Sequence, residues 1–150
     1  MLIKDFYHRL PHTIRPEEKI GKALQHLLDQ EHNGFIVVDK QKRVLGILSI
    51  QDIAAAAIPE EFRQNVGMAK AMYRKGYFHE ACKELSHQLV KDVMRKKFIS
   101  VTLTDNIMAI IADFLENDLY VVPVIEDKKL IGVVTRTEVK MALAKGMNLI

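Results

Sequence analysis

Tryptophan is absent from these 150 residues, and cysteine occurs once, as Cys82. A single thiol excludes an internal disulfide framework, so a reducing, cytoplasmic setting is the expected location. Long apolar runs are missing as well. Nothing approaches the roughly 20 residues a helix needs to span a bilayer, so no membrane is expected among the partners. The start, Met1-Leu2-Ile3-Lys4-Asp5-Phe6, lacks the basic-then-apolar order of a secretion leader and is expected to belong to the fold. Neither sign of charge dominates: 22 Lys and Arg stand against 19 Asp and Glu, for a net +3. The basic residues are scattered apart from Arg95-Lys96-Lys97, which argues against nucleic acid as a partner. A mild positive balance suits a small anionic ligand without requiring one. There is no phosphate-binding P-loop, no dinucleotide glycine fingerprint, no zinc-protease motif and no evident nucleophile, so no enzyme and no catalytic residue is expected. His79, Cys82 and His87 lack the spacing of a closed zinc set, and no metal is expected.

What the chain does have is itself, twice. Residues 3–38 align with 90–125 at a constant offset of 87, and 44–57 align with 130–143 at 86. The lost residue falls where Asp39-Lys40-Gln41-Lys42-Arg43 faces the shorter Glu126-Asp127-Lys128-Lys129. Chemistry follows spacing. Ile3-Lys4-Asp5 faces Val90-Lys91-Asp92, and Phe35-Ile36-Val37-Val38 faces Val122-Pro123-Val124-Ile125. Val44-Leu45-Gly46-Ile47-Leu48-Ser49-Ile50-Gln51-Asp52 faces Leu130-Ile131-Gly132-Val133-Val134-Thr135-Arg136-Thr137-Glu138. A long period present twice indicates two copies of one compact unit. Each copy has only about 55 residues, marginal for a core of its own, so the copies are expected to share one. A hydrophobic share of 49% fits an ordinary globular chain.

Within the first copy, Pro16-Glu17-Glu18 is expected to open a helix with acids in its first turn. Ile20, Leu24, Leu27 and Leu28 recur at helical spacing, and the helix is expected to fade near His32-Asn33-Gly34. Phe35 to Val38 and Val44 to Leu48 are short, apolar and rich in branched residues, which predicts an antiparallel hairpin. Ser49-Ile50-Gln51-Asp52 then begins a second helix that Pro59 stops. The second copy repeats the order. Ser100-Val101-Thr102 is a short extended piece and Thr104-Asp105-Asn106 offers helix caps. Ile107, Ile110, Ile111, Phe114 and Leu115 form an apolar face. Strands follow at Val121 to Ile125 and Leu130 to Val134, and a last helix starts at Thr135. The fold class is therefore α/β (more strictly α+β), two β-α-β-β-α units with a helical insert between them.

Gly, two apolar residues, Ser or Thr, two variable residues, then Asp or Glu, twice after an apolar hairpin, resembles the CBS domain (cystathionine-β-synthase-type) family. Val90-Lys91-Asp92-Val93-Met94 is similar to the lead-in that often opens a second CBS repeat. The resemblance covers nearly all of the chain outside 59–88. It divides the sequence into repeat 1 at 3–58, an insert or linker at 59–88 and repeat 2 at 89–146. It implies repeats packed sheet to sheet about a pseudo-two-fold axis, a further homodimer, and a regulatory role without catalysis. It implies also that an adenine nucleotide or related adenosyl ligand binds between the repeats, with AMP, ADP, ATP, S-adenosylmethionine and cyclic di-AMP as candidates and no required cofactor.

Physical chemistry gives the strand-to-helix junctions a role of their own. The first N–H groups of a helix lack internal partners and carry partial positive charge. Ser49 and Thr135 stand where a hydroxyl joins those groups around a phosphate. One helical turn on, Asp52 or Glu138 can accept hydrogen bonds from two ribose hydroxyls. Ile14, Ile36, Val101 (with Thr102 beside it) and Pro123 are the candidates for an apolar slot around a flat base. Arg136 adds a guanidinium to the second junction, where the first has Ile50, so the two sites are expected to be unequal. The same residues also fit helix capping, in which the acid reaches back to the cap residue. A ligand-sensing module and a ligand-free dimerisation scaffold both remain open at this point.

The insert has no counterpart after repeat 2. Phe62, Val66, Ala69 and Tyr73, with Met72 adjoining, form one helical stripe that Gly76 is expected to end. Phe78, Ala81, Cys82 and Leu85 form another. One such pair of helices cannot cover its own apolar face, so it is expected to pack on the repeats, on a second subunit or on a separate effector protein.

Overall fold

Each repeat is organised by its hairpin. Gly34–Val38 (β2) pairs antiparallel with Val44–Ser49 (β3), and Val121–Glu126 (β4) pairs likewise with Lys129–Thr135 (β5). These segments are apolar on both faces because both faces are covered. In the first turn the Asp39 carboxylate accepts the Gln41 and Arg43 N–H groups, each at 2.9 Å, and Arg43 Nε at 2.8 Å. The second turn, one residue shorter, puts Asp127 and Lys128 at positive φ. Thr13–Ile14 (β1) adds to β2 in parallel, with Ile14 opposite Val37. Val101 makes the same parallel bridge to Val124. The register slips at Val37/Val38 and again at Val124/Ile125, so even the bulges repeat. The structure, a computed structural model, describes residues 1–30, 34–63, 65–71, 76–117, 119 and 121–150. His32 and Asn33, at the expected helix end, lie outside the described residues, as do Met72 and Tyr73 of the insert.

Helices cover the sheets: Ile20–Asp29 (α1) and Ile50–Ala56 (α2) in repeat 1, Ile107–Asn117 (α7) and Arg136–Gly146 (α8) in repeat 2. α1 begins at Ile20 and not at Pro16. Local sequence favours the earlier start, but the Pro16 and Glu18 carbonyls accept the Lys91 and Val90 N–H groups at 3.0 and 2.8 Å. These tertiary bonds therefore hold Pro16-Glu17-Glu18 as a turn, closed by the Glu18 N–H on the Arg15 carbonyl at 3.2 Å, and delay the helix until after Lys19.

Those bonds belong to an exchange between the halves. Short bridges join Leu2 to Asn106 and, at the equivalent positions, Lys19 to Leu89. Others join His8 to Val133 and Ile47 to Arg95. In each pair the lead-in of one repeat crosses to the body of the other. The Ile3 N–H reaches the Asp105 carbonyl at 2.9 Å, as Val90 reaches Glu18. This reciprocity is the pseudo-two-fold axis written in hydrogen bonds.

Packing follows the crossover. The repeat 1 core holds Ile20, Ala23, Val37 and Leu48 together with Val90 from repeat 2. The repeat 2 core holds Ile107, Ile110, Val122 and Val134 together with Ile3 from repeat 1. Both intruders are fully buried. A third cluster of Ile36, Val38, Ile47, Leu130 and Val133 lies between the sheets and belongs to neither repeat alone.

The insert forms Glu60–Arg63 (α3), Val66–Ala71 (α4) and Tyr77–Leu85 (α5), followed by the short Val90–Val93 (α6). Gly76 (φ 85) directly precedes α5. Leu85, buried, and Cys82, half-buried, dock α5 on the repeat 1 core. α4 buries none of its residues, and Val66 and Phe78 stay exposed. Among the described residues, no helix is long and apolar enough to cross a membrane, and no cluster of His, Cys, Asp or Glu suits a metal ion.

Candidate functional site

Both strand-to-helix junctions carry a complete capping box. At the first, the Asp52 carboxylate Oδ2 accepts the Ser49 N–H and the Ser49 hydroxyl, both at 2.9 Å, while the Asp52 N–H donates to Ser49 Oγ at 3.3 Å. At the second, Glu138 Oε2 accepts the Thr135 N–H at 2.8 Å and its hydroxyl at 2.5 Å. The Thr137 N–H donates to Thr135 Oγ1 at 3.2 Å. Each acid thus commits one oxygen to the helix it begins. Ser49 is a buried polar residue, 2% exposed, and its box satisfies it.

The junctions differ in what the second carboxylate oxygen meets. Asp52 Oδ1 lies 3.3 Å from Nη2 of Arg95, which arrives on the crossing lead-in of repeat 2. Asp52 is mostly covered, whereas Arg95 is 43% exposed.

Beside this ion pair lies a cleft of about 290 Å³. Repeat 1 contributes Ile47 and Ser49 to its walls. Repeat 2 contributes Arg95, Lys97, Phe98 and Ile99 from the lead-in, and Asn117, Leu119 and Val121 from the α7-to-β4 connection. Ile47, Phe98, Ile99, Leu119 and Val121 make its apolar lining. The volume sits at the lower edge of the roughly 300–1,000 Å³ typical of small-molecule sites.

Of the residues singled out from sequence, Ser49 lines this cleft and Asp52 adjoins it through Arg95. The proposed base slot is distributed differently. Ile36 and Pro123 are fully buried, Ile36 in the cluster between the sheets. Val101 lies in the repeat 2 core. Thr102 is exposed, and its N–H donates to Asp105 Oδ2 at 2.8 Å. Ile14 lines a separate groove of about 390 Å³ with Arg15, Glu18, His26 and Phe35. Thr135, exposed Arg136 and Glu138 stay together at the second junction. Sequence reasoning passed over Phe98, Ile99, Leu119, Lys97 and Arg95 as site residues. The crossing lead-in brings Arg95, Lys97, Phe98 and Ile99 to Ser49, the α7-to-β4 connection brings Leu119, and no local pattern announces either.

A family model described as the CBS domain matches residues 3–58 and again 90–145. Among solved structures, CBSX2 in complex with AMP is similar at 23% identity and a TM-score of 0.72, covering 96% of each chain. A CBS-domain protein from Agrobacterium tumefaciens is 20% identical, with a TM-score of 0.73 over 95% of this chain and 92% of that one. The CBS domain pair of MJ0100, in complex with 5′-methylthioadenosine and S-adenosylmethionine, is 19% identical with a TM-score of 0.70, over 95% and 99%. No curated protein matches the chain. At these identities the likeness is one of fold.

Proposed function

Because this chain belongs to the CBS domain family, we propose that it is a regulatory, non-catalytic module that binds an adenine nucleotide or another adenosyl ligand in the cleft between its repeats. The observation that carries this reading is the composition of the cleft. An apolar slot drawn mostly from repeat 2 adjoins Ser49 of repeat 1, with the Asp52 carboxylate held next to it by Arg95, which suits a flat base joined to a ribose. Related pairs that hold AMP, or methylthioadenosine and S-adenosylmethionine, lend the ligand class support.

The Ser49/Asp52 junction is the principal site in this reading, and the Thr135/Arg136/Glu138 junction a weaker second one. Output runs through association, as a cytoplasmic homodimer or with a separate protein that meets the insert. Leu28 and Leu115 occupy equivalent places on α1 and α7 and are 78% and 83% exposed, which favours self-association through these helices.

Thermal melts with AMP, ADP, ATP, S-adenosylmethionine and cyclic di-AMP test the reading. A ligand at 100 times its Kd stabilises the folded state by about 2.7 kcal/mol, which raises Tm by roughly 5 to 10 °C in a chain of this size. Asp52→Ala is expected to remove that rise, each variant being compared with its own ligand-free melt because the cap is lost too. Glu138→Ala is expected to keep most of it. If no compound moves the melt at millimolar excess, the ligand-free scaffold is the correct reading.

A further inference from the structure

We propose that Arg95 is a latch on Asp52 that makes the cleft select phosphate-bearing adenosyl ligands over neutral or sulfonium ones. This rests on the reading above and specifies the ligand class for the same site. The Asp52 carboxylate has one oxygen in the cap and the other against Arg95. A ribose that hydrogen-bonds Asp52 must compete with the guanidinium for that second oxygen. The contact is a single one at 3.3 Å, longer than the roughly 2.7–2.9 Å of a strong charge-assisted bond, and so is readily exchanged.

The geometry allows exchange by side-chain rotation alone. The Arg95 main chain is pinned by reciprocal bonds with Ile47, at 2.8 and 3.0 Å. Its carbonyl packs so closely on Gly46 that a Cβ there would approach to 2.7 Å. The side chain, 43% exposed, is free of that constraint. Among the described residues lining the cleft, the charged ones are Arg95 and Lys97, both cationic. A phosphate gives the released guanidinium a bidentate partner and engages Lys97 as well. A neutral adenosyl ligand breaks the Arg95–Asp52 pair and offers nothing in return, and S-adenosylmethionine offers one carboxylate but brings a sulfonium and an ammonium with it. The feature is confined to one junction. The positions equivalent to Arg95 and Lys97 in the first lead-in are His8 and Leu10.

Calorimetric titration of AMP, adenosine and S-adenosylmethionine into the full chain tests the proposal. The intact protein is expected to bind AMP at least about tenfold more tightly than adenosine. Arg95→Gln is expected to weaken AMP by roughly 10- to 100-fold while adenosine holds or tightens, because Asp52 is released. Lys97→Gln is expected to weaken AMP by a smaller factor, and Arg95→Lys to fall between Arg95→Gln and the intact protein. Equal binding of AMP and adenosine by the intact protein overturns the latch and leaves the adenosyl site standing. So does an Arg95→Gln variant that weakens both ligands by one common factor, the signature of a merely structural role. Absence of binding by all three compounds overturns the latch, and together with an unmoved melt for all five candidate ligands it overturns the proposed function as well.

Discussion

Alanine at Gly132 is expected to lower stability by roughly 3 kcal/mol, whereas alanine at Gly67 is expected to raise it by up to about 1 kcal/mol. Both are glycine-to-alanine changes, so the contrast isolates space from conformation. A Cβ at Gly132 would stand 2.5 Å from the His8 carbonyl oxygen and from the Tyr7 ring. The carbonyl cannot yield alone. His8 and Val133 exchange two backbone hydrogen bonds, at 2.8 and 2.9 Å, and moving the strand breaks both. Overpacking costs about 1–3 kcal/mol and each lost bond about 1 kcal/mol more. Gly67 lies in exposed α4, where, among the described residues, a Cβ meets only the Asn65 side chain at 3.4 Å. Gly46 falls between, because one of its close neighbours is the flexible Met94 side chain at 2.9 Å. Urea melts of the three variants measure the series. A Gly132→Ala protein within 1 kcal/mol of the parent would mean that the lead-in does not cross there.

The repeated glycine illustrates how much of the fold was legible. Its recurrence at 46 and 132 is plain in the sequence, and so is the apolar hairpin around it. The paired units, their element order and the family follow from that recurrence. Its cause is not visible locally, since the atom that excludes a side chain belongs to the other half of the chain. The start of α1 shows the same limit. Pro16-Glu17-Glu18 has the composition of a helix start, but hydrogen bonds to residues about 75 positions away prevail.

The polar edge of the candidate cleft is legible in the sequence. Ser49 and Asp52 are marked by the junction pattern and do meet at the cleft edge. The apolar half is expected at Ile14, Ile36, Val101 and Pro123, whose strands end near one cleft. Strand ends packed between layers are core, and Ile36 and Pro123 are fully buried. The cleft draws its apolar wall from less regular segments, around Phe98-Ile99 and Leu119, which are too short for periodicity to register. Arg95-Lys96-Lys97 stands out as a basic run, yet charge alone does not tell a solvated face from a cleft lining.

Neither half of the chain is expected to fold without the other, although each carries a complete set of strands and helices. A fragment of residues 1–88 lacks Val90, which fills the repeat 1 core, and loses the bonds from Val90 and Lys91 to Glu18 and Pro16. A fragment of residues 89–150 lacks Ile3 and the His8 strand over Gly132. Both expose the cluster between the sheets, where Ile36, Val38, Ile47, Leu130 and Val133 are buried in the intact chain. At about 1.5–3 kcal/mol per side chain, that cluster alone is worth roughly 7–15 kcal/mol, comparable with the whole stability of a domain. Circular dichroism of each fragment is expected to show no cooperative melt, and mixing the two in equal amounts is expected to restore one. In the intact chain the same coupling is expected from Ile3→Ala, at about 2–5 kcal/mol. Hydrogen exchange should then accelerate around Ile110 and Val122, in repeat 2, although the substitution is in repeat 1. A cooperative melt from either fragment alone would show that the lead-ins decorate the repeats and do not complete them.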